Sequence, residues 1–268
     1  MQGLFEPQAG TRYDMPAVFG SSRLPAVTKM REVRSITIPF VTDAARLRKL
    51  VPYHFDLAPD PLVYVGGGMN MGVDHMGGRD YGVVRVMVDV IAYDANGPFR
   101  APYHLVIWES EAAPIIAGRE FQGYAKIFGQ IPEHTFEQGE LSFQVAEYGT
   151  RLMRGGVRDL VDVPDAELAQ MNAKGKTVMV GWKYIPGPGN VADVDYATKL
   201  ITRTTIVSAK RGVGEFVLDR PTEQECPGSA RILEVLRQLP VLEVRPALCT
   251  VGSFELHRDA VERLPSRA

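Results

Sequence analysis

One run of alternating residues constrains the fold of this chain more than any other feature. Between residues 81 and 93, valines recur at every second position, at Val84, Val86, Val88 and Val90. The positions between them carry Arg85, Met87, Asp89 and Ile91. Successive side chains of a β-strand point to opposite faces of the sheet, so this pattern predicts a long strand with one buried face. The turn signal at residues 94–98 predicts a hairpin with a strand at 103–108.

Short strands and few helices account for most of the remaining chain. Further strand patterns lie at residues 34–41, 62–65, 136–148, 151–157, 177–184, 199–207 and 242–256. Helical patterns lie at residues 44–51, at 164–172, after Ser229 and from residue 257 onward, while residues 1–30 indicate an extended arm. The fingerprint loop of a Rossmann sheet is missing. We therefore predict a single α+β domain over residues 1–268, predominantly antiparallel β, with a few peripheral helices.

A glycine cluster, Gly66-Gly67-Gly68, follows the strand pattern at residues 62–65. A phosphate-binding loop is one interpretation, but the Gly-Lys-Ser/Thr ending of such a loop is missing and no helical pattern follows. Glycines that let neighbouring parts of a sheet approach closely are the interpretation that we favour.

The composition argues against several classes of function. The 268 residues carry 30 basic and 32 acidic side chains, a net charge of −2, and show no basic patch typical of nucleic-acid or membrane-surface binding. No apolar run approaches the length of a membrane-spanning helix, and no secretory signal is visible. The two cysteines, Cys226 and Cys249, are too few for a disulfide scaffold, so we expect a reduced, cytoplasmic protein.

Metal and serine chemistry have no support in the sequence. The five histidines are scattered and lack the spacing of metal ligands. The G-x-S-x-G elbow of a serine hydrolase is also missing. We therefore expect neither a metal nor another cofactor.

A lysine in an apolar stretch is the strongest chemical feature of the sequence. The neighbours of Lys126 are Phe121, Tyr124, Ala125, Ile127 and Phe128. Lysine is rarely fully buried unless it is paired, and burial favours the neutral amine, which is nucleophilic toward a carbonyl carbon. The alternative is an ordinary lysine on the wet face of a half-buried strand.

The run Gly118-Arg119-Glu120, followed by five residues and Lys126, resembles the Schiff-base segment of acetoacetate decarboxylases. Other landmarks of that family are similar to residues 42–52, 184–186, 215–221, 239–244 and 258–264, in the same order. The resemblance implies a closed, cone-like β-barrel, usually assembled as a homo-oligomer. It also implies that Lys126 forms a Schiff base, an imine, with a keto acid.

Several positions differ from the family pattern. Ile127 stands where the family carries a second lysine, and Ala125 stands where it carries a proline. Counting back without gaps places Met87 and Gly66 where decarboxylases carry acids. Gln122 resembles the glutamine of a branch with a larger pocket, which is associated with aldol condensation and dehydration.

The missing acid needs a substitute, and strand alternation suggests one. If Met87 faces the pocket, Arg85 and Asp89 lie on the same side of the strand, each about 7 Å away along it. Asp89 is then the expected proton-transfer group, whereas an ion pair with Arg85 or Arg119 that only closes the barrel is the alternative. The predicted site has catalytic Lys126 and Asp89 and substrate-binding Gln122, Met87, Arg85, Tyr124 and Arg119.

These observations predict a lyase that forms a lysine Schiff base with a keto acid and cleaves or forms a carbon–carbon bond. Decarboxylation of a β-keto acid is the first expectation. One alternative is an aldolase–dehydratase that acts on pyruvate and an aldehyde, and another is a non-catalytic relative that binds a small molecule. The expected partner is a small-molecule keto acid, with no nucleic acid or membrane, in a homo-oligomer.

Overall fold

The computed structural model describes residues 3–173 and 175–266. Its longer strands are β1 (Val27–Val41), β3 (Leu62–Val73), β4 (Arg79–Asp94), β5 (Gly97–Glu109), β8 (Glu140–Glu147), β9 (Thr150–Asp162), β10 (Lys176–Pro186), β11 (Ala192–Leu218) and β13 (Ala247–Arg263). Its short strands are β2 (Asp56–Leu57), β6 (Lys126–Phe128), β7 (Thr135–Glu137) and β12 (Glu243–Val244). Its α-helices are α1 (Ala44–Arg48), α2 (Ala112–Ala117), α3 (Asp165–Ala173) and α4 (Ala230–Leu236).

Within the described residues, the strands form one sheet in the order β10-β5-β4-β3-β1-β13-β11-β9-β8-β7. Most neighbours are antiparallel, whereas β10 and β6 each pair with β5 in parallel. Strand β10 also pairs with β11 along most of its length. The predicted class, α+β with a predominantly antiparallel sheet, is confirmed.

The alternation of β4 separates a core face from a polar face, as the sequence predicts. Val84, Val86, Val88 and Val90 are at most 1 % exposed and belong to the main core. Burying a valine side chain contributes roughly 1.5–3 kcal/mol, so this face holds β4 firmly in the sheet. The predicted hairpin is also confirmed, because β4 pairs with β5 across the turn between Asp94 and Gly97.

The glycine cluster lies inside β3, where side chains would not fit. A Cβ atom on Gly66 would lie 2.5 Å from the carbonyl oxygen of Ile36 on β1. A Cβ atom on Gly67 would lie 2.3 Å from the ring of Phe143 on β8. The glycines therefore serve close approach within the fold, and they are followed by further residues of β3 and a three-residue 3₁₀ turn at Asp74–Met76 instead of the α-helix of a phosphate-binding loop.

Three of the four predicted helices form, with different means of anchoring. Asp43 caps α1 by accepting a hydrogen bond from the Arg46 backbone N–H at 2.7 Å. Asn172 of α3 exchanges two hydrogen bonds with the backbone of Ile206, at 2.9 and 2.8 Å, which fixes this helix on β11. Ser229 precedes α4 but does not cap it, because its hydroxyl accepts a hydrogen bond from the Trp108 indole N–H.

The two ends of the chain differ from the sequence expectations. The helix expected from residue 257 onward is wrong, because β13 continues to Arg263 and pairs with both β1 and β11. Such pairing outweighs local propensity. In the predicted arm at residues 1–30, a 3₁₀ turn at Ala17–Phe19 is followed by β1, which already begins at Val27. Residues 1, 2, 267 and 268 of the predicted single domain lie outside the described residues, as does residue 174.

Candidate active site

A cavity of about 410 Å³ is lined by residues of β1 and of the strands on both sides of β1 in the sheet. One wall, here called the polar wall, consists of Arg85, His104, Glu109, Gln122, Tyr124 and Lys126. The second, here called the apolar wall, consists of Met171, Met179, Ile206, Leu248, Phe254 and Leu256, and the threonines Thr177, Thr204 and Thr250 lie among them. The polar wall comes from β4, β5 and the segment around β6, whereas the apolar wall comes from α3, β10, β11 and β13.

Lys126 is buried in this cavity beside a carboxylate that is also buried. Its Nζ lies 2.8 Å from Oε1 of Glu109 and donates a second hydrogen bond, at 3.1 Å, to the carbonyl oxygen of Pro114. Both residues are below one-tenth exposed. The alternative of a lysine on a wet strand face is therefore contradicted.

The chain before Lys126 is shaped to receive its side chain. Helix α2 passes into one turn of π-helix at Gly118–Gln122, a rare conformation that is frequent at functional sites. A Cβ atom on Gly118 would lie 2.4 Å from Cδ of Lys126, so only glycine leaves room for the lysine stem. Gly123 then ends the turn in the left-handed region, with φ of 76°, and β6 pairs with β5 so that Lys126 lies beside Ile107.

The environment of Glu109 favours its protonation. Burial raises the pKa of Glu109 above its usual 4.5, while the positive charges of Lys126 and Arg258 oppose this change. Among the described residues, Oε2 has no hydrogen-bond partner. Glu109 is therefore suited to accept a proton, because burial disfavours the charged form of a carboxylate.

Arg85 brings an unneutralised positive charge to the cavity. Its Nη2 donates to the hydroxyl of Ser35 at 2.9 Å, but its Nε has no partner and no carboxylate pairs with it in the described part of the chain. Burial lowers the pKa of Arg85 from 12.5, but a guanidinium remains charged at neutral pH. A desolvated cation without a counter-ion costs several kcal/mol, so this position favours an anionic ligand.

Three further residues of the polar wall carry a buried polar atom without a partner among the described residues: His104 Nδ1, Gln122 Nε2 and the Tyr124 hydroxyl. Burial and the nearby Arg85 and Lys126 hold the pKa of His104 well below 6.5, so its ring is neutral at pH 7. Burial also raises the pKa of Tyr124, which keeps its hydroxyl protonated. Buried polar atoms are normally satisfied, so this group is suited to binding a polar ligand.

The cavity brings together four of the residues predicted from the sequence: Lys126, Gln122, Tyr124 and Arg85. Arg119 lies outside it and donates from Nη1 to the Lys126 carbonyl oxygen at 2.9 Å, so it holds the backbone of the lysine segment. Met87 also lies outside, in a groove that adjoins the cavity.

The placement of Asp89 requires a correction. Its Oδ2 accepts hydrogen bonds from the Tyr64 hydroxyl at 2.9 Å and from Arg100 at 2.7 Å. It does not line the cavity, and its ionic partner is Arg100 instead of Arg85 or Arg119. The physical reason is the rise of the strand, because β4 carries residues beyond Arg85 past the edge of the cavity, by about 7 Å for every two residues.

Glu109 and His104 were not predicted from the sequence. Both lie on β5, which pairs with β6, but no local spacing links Glu109 to a lysine 17 positions later. One signal was present: Glu109 ends the run Leu105-Val-Ile-Trp108, so it was an acid at the end of a buried strand. A buried lysine needs a counter-charge, and Glu109 was a candidate on that ground.

Neither a metal site nor a membrane span is found in the part of the chain that the structure describes. No group of three or more histidine, cysteine, aspartate or glutamate side chains in residues 3–173 and 175–266 is placed to hold a metal ion. No helix in these ranges combines the length and the apolar character needed to cross a membrane. Cys226 and Cys249 are buried and unbridged.

The fold is that of the acetoacetate decarboxylases and their relatives. An acetoacetate decarboxylase structure matches with a TM-score of 0.73 and 18% identity, covering 94% of this chain and 95% of that one. An acetoacetate decarboxylase-like enzyme from Sphingomonas wittichii RW1 matches with a TM-score of 0.70 and 18% identity, over 97% and 100%. The enduracididine biosynthesis enzyme MppR, complexed with pyruvate, matches with a TM-score of 0.68 and 16% identity, over 97% and 100%.

The sequence identifies the family itself. The family model for acetoacetate decarboxylase (ADC) matches residues 14–261, so this chain belongs to the acetoacetate decarboxylase family. A search of curated proteins found no match. The family predicted from the sequence is thereby confirmed, and an acetoacetate decarboxylase-like lyase is the function consistent with it.

Proposed function

We propose that this protein is a lyase that forms an imine between Lys126 and a keto acid. The observation that carries this proposal is the pair of Lys126 Nζ and Glu109 Oε1, 2.8 Å apart inside a cavity large enough for a substrate. An amine nucleophile needs a base to take its proton and a site that excludes water. Glu109 supplies the base, and the burial of both residues limits their contact with water.

The imine forms in balanced steps that use only these two residues and the substrate. Lys126 transfers a proton to Glu109, and its neutral nitrogen attacks the carbonyl carbon while the carbonyl electron pair moves to oxygen. A proton moves from nitrogen to that oxygen, giving a carbinolamine. Glu109 then protonates the hydroxyl group, water leaves, and the nitrogen lone pair forms the iminium. The restored carboxylate of Glu109 stabilises that cation, which is an electrostatic contribution to catalysis.

Arg85 and Gln122 are proposed to orient the substrate. The unpaired guanidinium of Arg85 binds the carboxylate of the keto acid, since hydrogen bonds between charged groups are the strongest available. The free amide N–H of Gln122 donates to a substrate oxygen near the lysine. Tyr124 offers a hydroxyl on the same wall, whereas Asp89, Met87 and Arg119 have no direct role in this proposal.

Two reactions are open to the iminium. In a β-keto acid, the bond to the carboxylate breaks, CO₂ leaves and the electron pair moves into the iminium to form an enamine, which then takes a proton. In an aldol reaction, Glu109 takes a proton from the carbon next to the iminium to give an enamine, the enamine attacks an aldehyde carbon while the aldehyde oxygen takes that proton, and water is lost later. Arg85 favours the second, because an ion pair with the carboxylate stabilises the reactant more than neutral CO₂ and so opposes decarboxylation.

The test of the proposal is reductive trapping with borohydride. With pyruvate or acetoacetate present, we expect a reduced adduct on the peptide that contains Lys126, and none in Lys126→Ala. Lys199→Ala is the matched control, because Lys199 also pairs with a carboxylate, Asp94 at 2.8 Å, but outside the cavity. Adducts on other lysines alone, or no adduct with any keto acid, would exclude the imine.

Product analysis separates the two reactions. Mass spectrometry after incubation with acetoacetate alone should reveal CO₂ and acetone if the protein decarboxylates. Incubation with pyruvate and a panel of aldehydes should give an unsaturated condensation product if it is an aldolase–dehydratase. Trapping without either product would remove both reaction assignments and leave the imine.

Three expectations from the sequence remain part of the proposal. A closed, cone-like barrel is supported by the pairing of β10 with both β5 and β11. A homo-oligomer and a cytoplasmic location stay predictions. Size-exclusion chromatography with light scattering measures the first of these two, and fractionation of the source cells measures the second.

A further inference from the structure

We propose that the keto acid carries a large apolar group, of the size of a phenyl ring, which lies against the apolar wall. This inference rests on the proposed function, because the keto acid end is the part that Lys126 holds. It goes beyond that function in naming the substrate class. Three observations carry it: the cavity volume, the chemistry of the apolar wall and the distribution of charge.

The cavity is larger than a small keto acid needs. An apolar cavity of about 150 Å³ already holds a benzene molecule, whereas this one measures about 410 Å³. Pyruvate and acetoacetate have roughly as many non-hydrogen atoms as benzene. Either of them would leave much of the apolar wall without a partner.

The apolar wall is suited to a flat or branched hydrocarbon group. Phe254 offers an aromatic face, and Ile206 and Leu256 offer branched aliphatic surface on the neighbouring strands. Met171 and Met179 add thioether side chains, which adapt their shape and make favourable contacts with aromatic rings. Apolar pockets with a few polar groups at one side are the usual form of small-molecule sites.

Charge excludes a second acidic group on the substrate. Among the described residues that line the cavity, the cations are Arg85 and Lys126, and both belong to the polar wall. Lys126 is engaged by Glu109 and then by the imine, and Arg85 binds one carboxylate. A second carboxylate would meet no cation beside Leu248, Phe254 or Leu256, and only the hydroxyls of Thr177, Thr204 and Thr250 could donate to it, which is poor compensation for a desolvated charge.

Helix α3 closes the apolar wall from outside. Met171 reaches the cavity from this helix, and its neighbour Asn172 fixes the helix on β11 through the backbone of Ile206. The two hydrogen bonds between Asn172 and Ile206 therefore hold Met171 and Ile206 close together in the apolar wall. Filling the space at either position should remove the room for a large group.

The experiment compares keto acids in the trapping reaction. The half-saturating concentration should be roughly 30–100-fold lower for phenylpyruvate than for pyruvate, the gain expected from burying a phenyl group. 4-Methyl-2-oxopentanoate should fall between them. 2-Oxoglutarate, similar in length but with a second carboxylate, should be no better than pyruvate. Equal values for pyruvate and phenylpyruvate, or a preference for 2-oxoglutarate, would overturn the inference.

Two variants and a matched control locate the preference. Ile206→Trp and Met171→Trp fill the apolar wall, and each should reduce the ratio between phenylpyruvate and pyruvate to about threefold or less. Thr205→Trp places the same side chain on the exposed face of β11, so its ratio should match the unmodified protein. A ratio that persists in both filled variants would place the apolar group elsewhere and overturn the inference.

A titration without a ketone keeps the two proposals distinguishable. Calorimetry should show tighter binding of 3-phenylpropanoate than of propanoate. Neither ligand forms an imine, so the difference in affinity reports only the contact of the phenyl group with the apolar wall. If this preference appears while no keto acid is trapped, the substrate class stands and the lyase proposal falls. If pyruvate is trapped but neither calorimetry nor trapping shows the preference, the lyase proposal stands and the inference falls.

Discussion

Two acid–base pairs on neighbouring strands have almost the same geometry and different surroundings. Glu109 of β5 lies 2.8 Å from Lys126, and Asp89 of β4 lies 2.7 Å from Arg100. The side chains of the first pair are 3 % and 10 % exposed, whereas those of the second are 16 % and 45 % exposed. The difference in solvent exposure therefore distinguishes the two pairs. The buried pair is suited to proton transfer, and the exposed pair is an ordinary surface ion pair.

The energetics of the two pairs differ accordingly. An exposed pair such as Asp89–Arg100 contributes about 0–1 kcal/mol to stability and gains little from perfect geometry. In a buried pair such as Glu109–Lys126, the free energy lost on dehydrating the two charges is about as large as the free energy gained from their attraction. Such a pair therefore contributes little to the stability of the fold. Its retention inside a cavity is better explained by reactivity than by stability.

The largest expected effect comes from removing the proton acceptor. Glu109→Gln should lower turnover about 10²–10⁴-fold, the usual contribution of a positioned acid–base group. Asp89→Asn is the matched control and should change turnover by less than about threefold, because its pair lies at the exposed side. Steady-state rates with the best trapped keto acid measure both.

The opposite ranking would reverse the comparison. If Asp89→Asn lost more activity than Glu109→Gln, proton transfer would depend on the outer pair. Circular dichroism and unfolding curves must accompany the rates, since Glu109→Gln leaves Lys126 buried without a counter-charge. Rescue of activity at higher pH in that variant would support a role for Glu109 in deprotonation.

The two arginines extend the comparison to substrate binding. Arg85→Met should raise the half-saturating keto acid concentration about 10–150-fold, the worth of one charged hydrogen bond of about 1.5–3 kcal/mol. Arg100→Met should raise it by less than about threefold, because Arg100 is already neutralised by Asp89. Trapping at graded concentrations measures both, and equal effects would show that Arg85 has no special relation to the carboxylate.

The sequence predicted those features that depend on local pattern. The alternation of valines placed β4 and its hairpin, and the apolar neighbours of Lys126 predicted a buried lysine. Gln122 and Tyr124 reach the cavity because they lie within four residues of that lysine, in the segment that joins the π-helical turn to β6. Residues this close in sequence also lie close together in the folded chain, so their neighbourhood can be predicted from the sequence.

Features that depend on sheet pairing could not be read in the same way. The register between β5 and β6 decides that Glu109 meets Lys126, and neither strand shows it in its own residues. The position of the cavity edge along β4 decides that Arg85 faces the cavity and Asp89 does not. The tail after residue 257 was expected to be helical for the same reason, because its partners β1 and β11 are distant in sequence.

The smallest expected effect concerns stability and a histidine outside the cavity. Burial, with Arg34 and Arg85 nearby, lowers the pKa of His134 from 6.5 to about 4. The unfolded chain then binds a proton that the folded chain does not bind, so this contribution to stability is complete above pH 6.5 and is lost as the pH falls toward 4.

Urea unfolding at pH 7.5 and pH 5 should show a free energy of unfolding that drops on acidification. His134→Gln should reduce that drop by about 1–2 kcal/mol without affecting trapping, because glutamine does not titrate. An unchanged drop in the variant would assign the acid sensitivity to other groups, among which His104 in the polar wall is the first to examine, since its pKa is also lowered by burial.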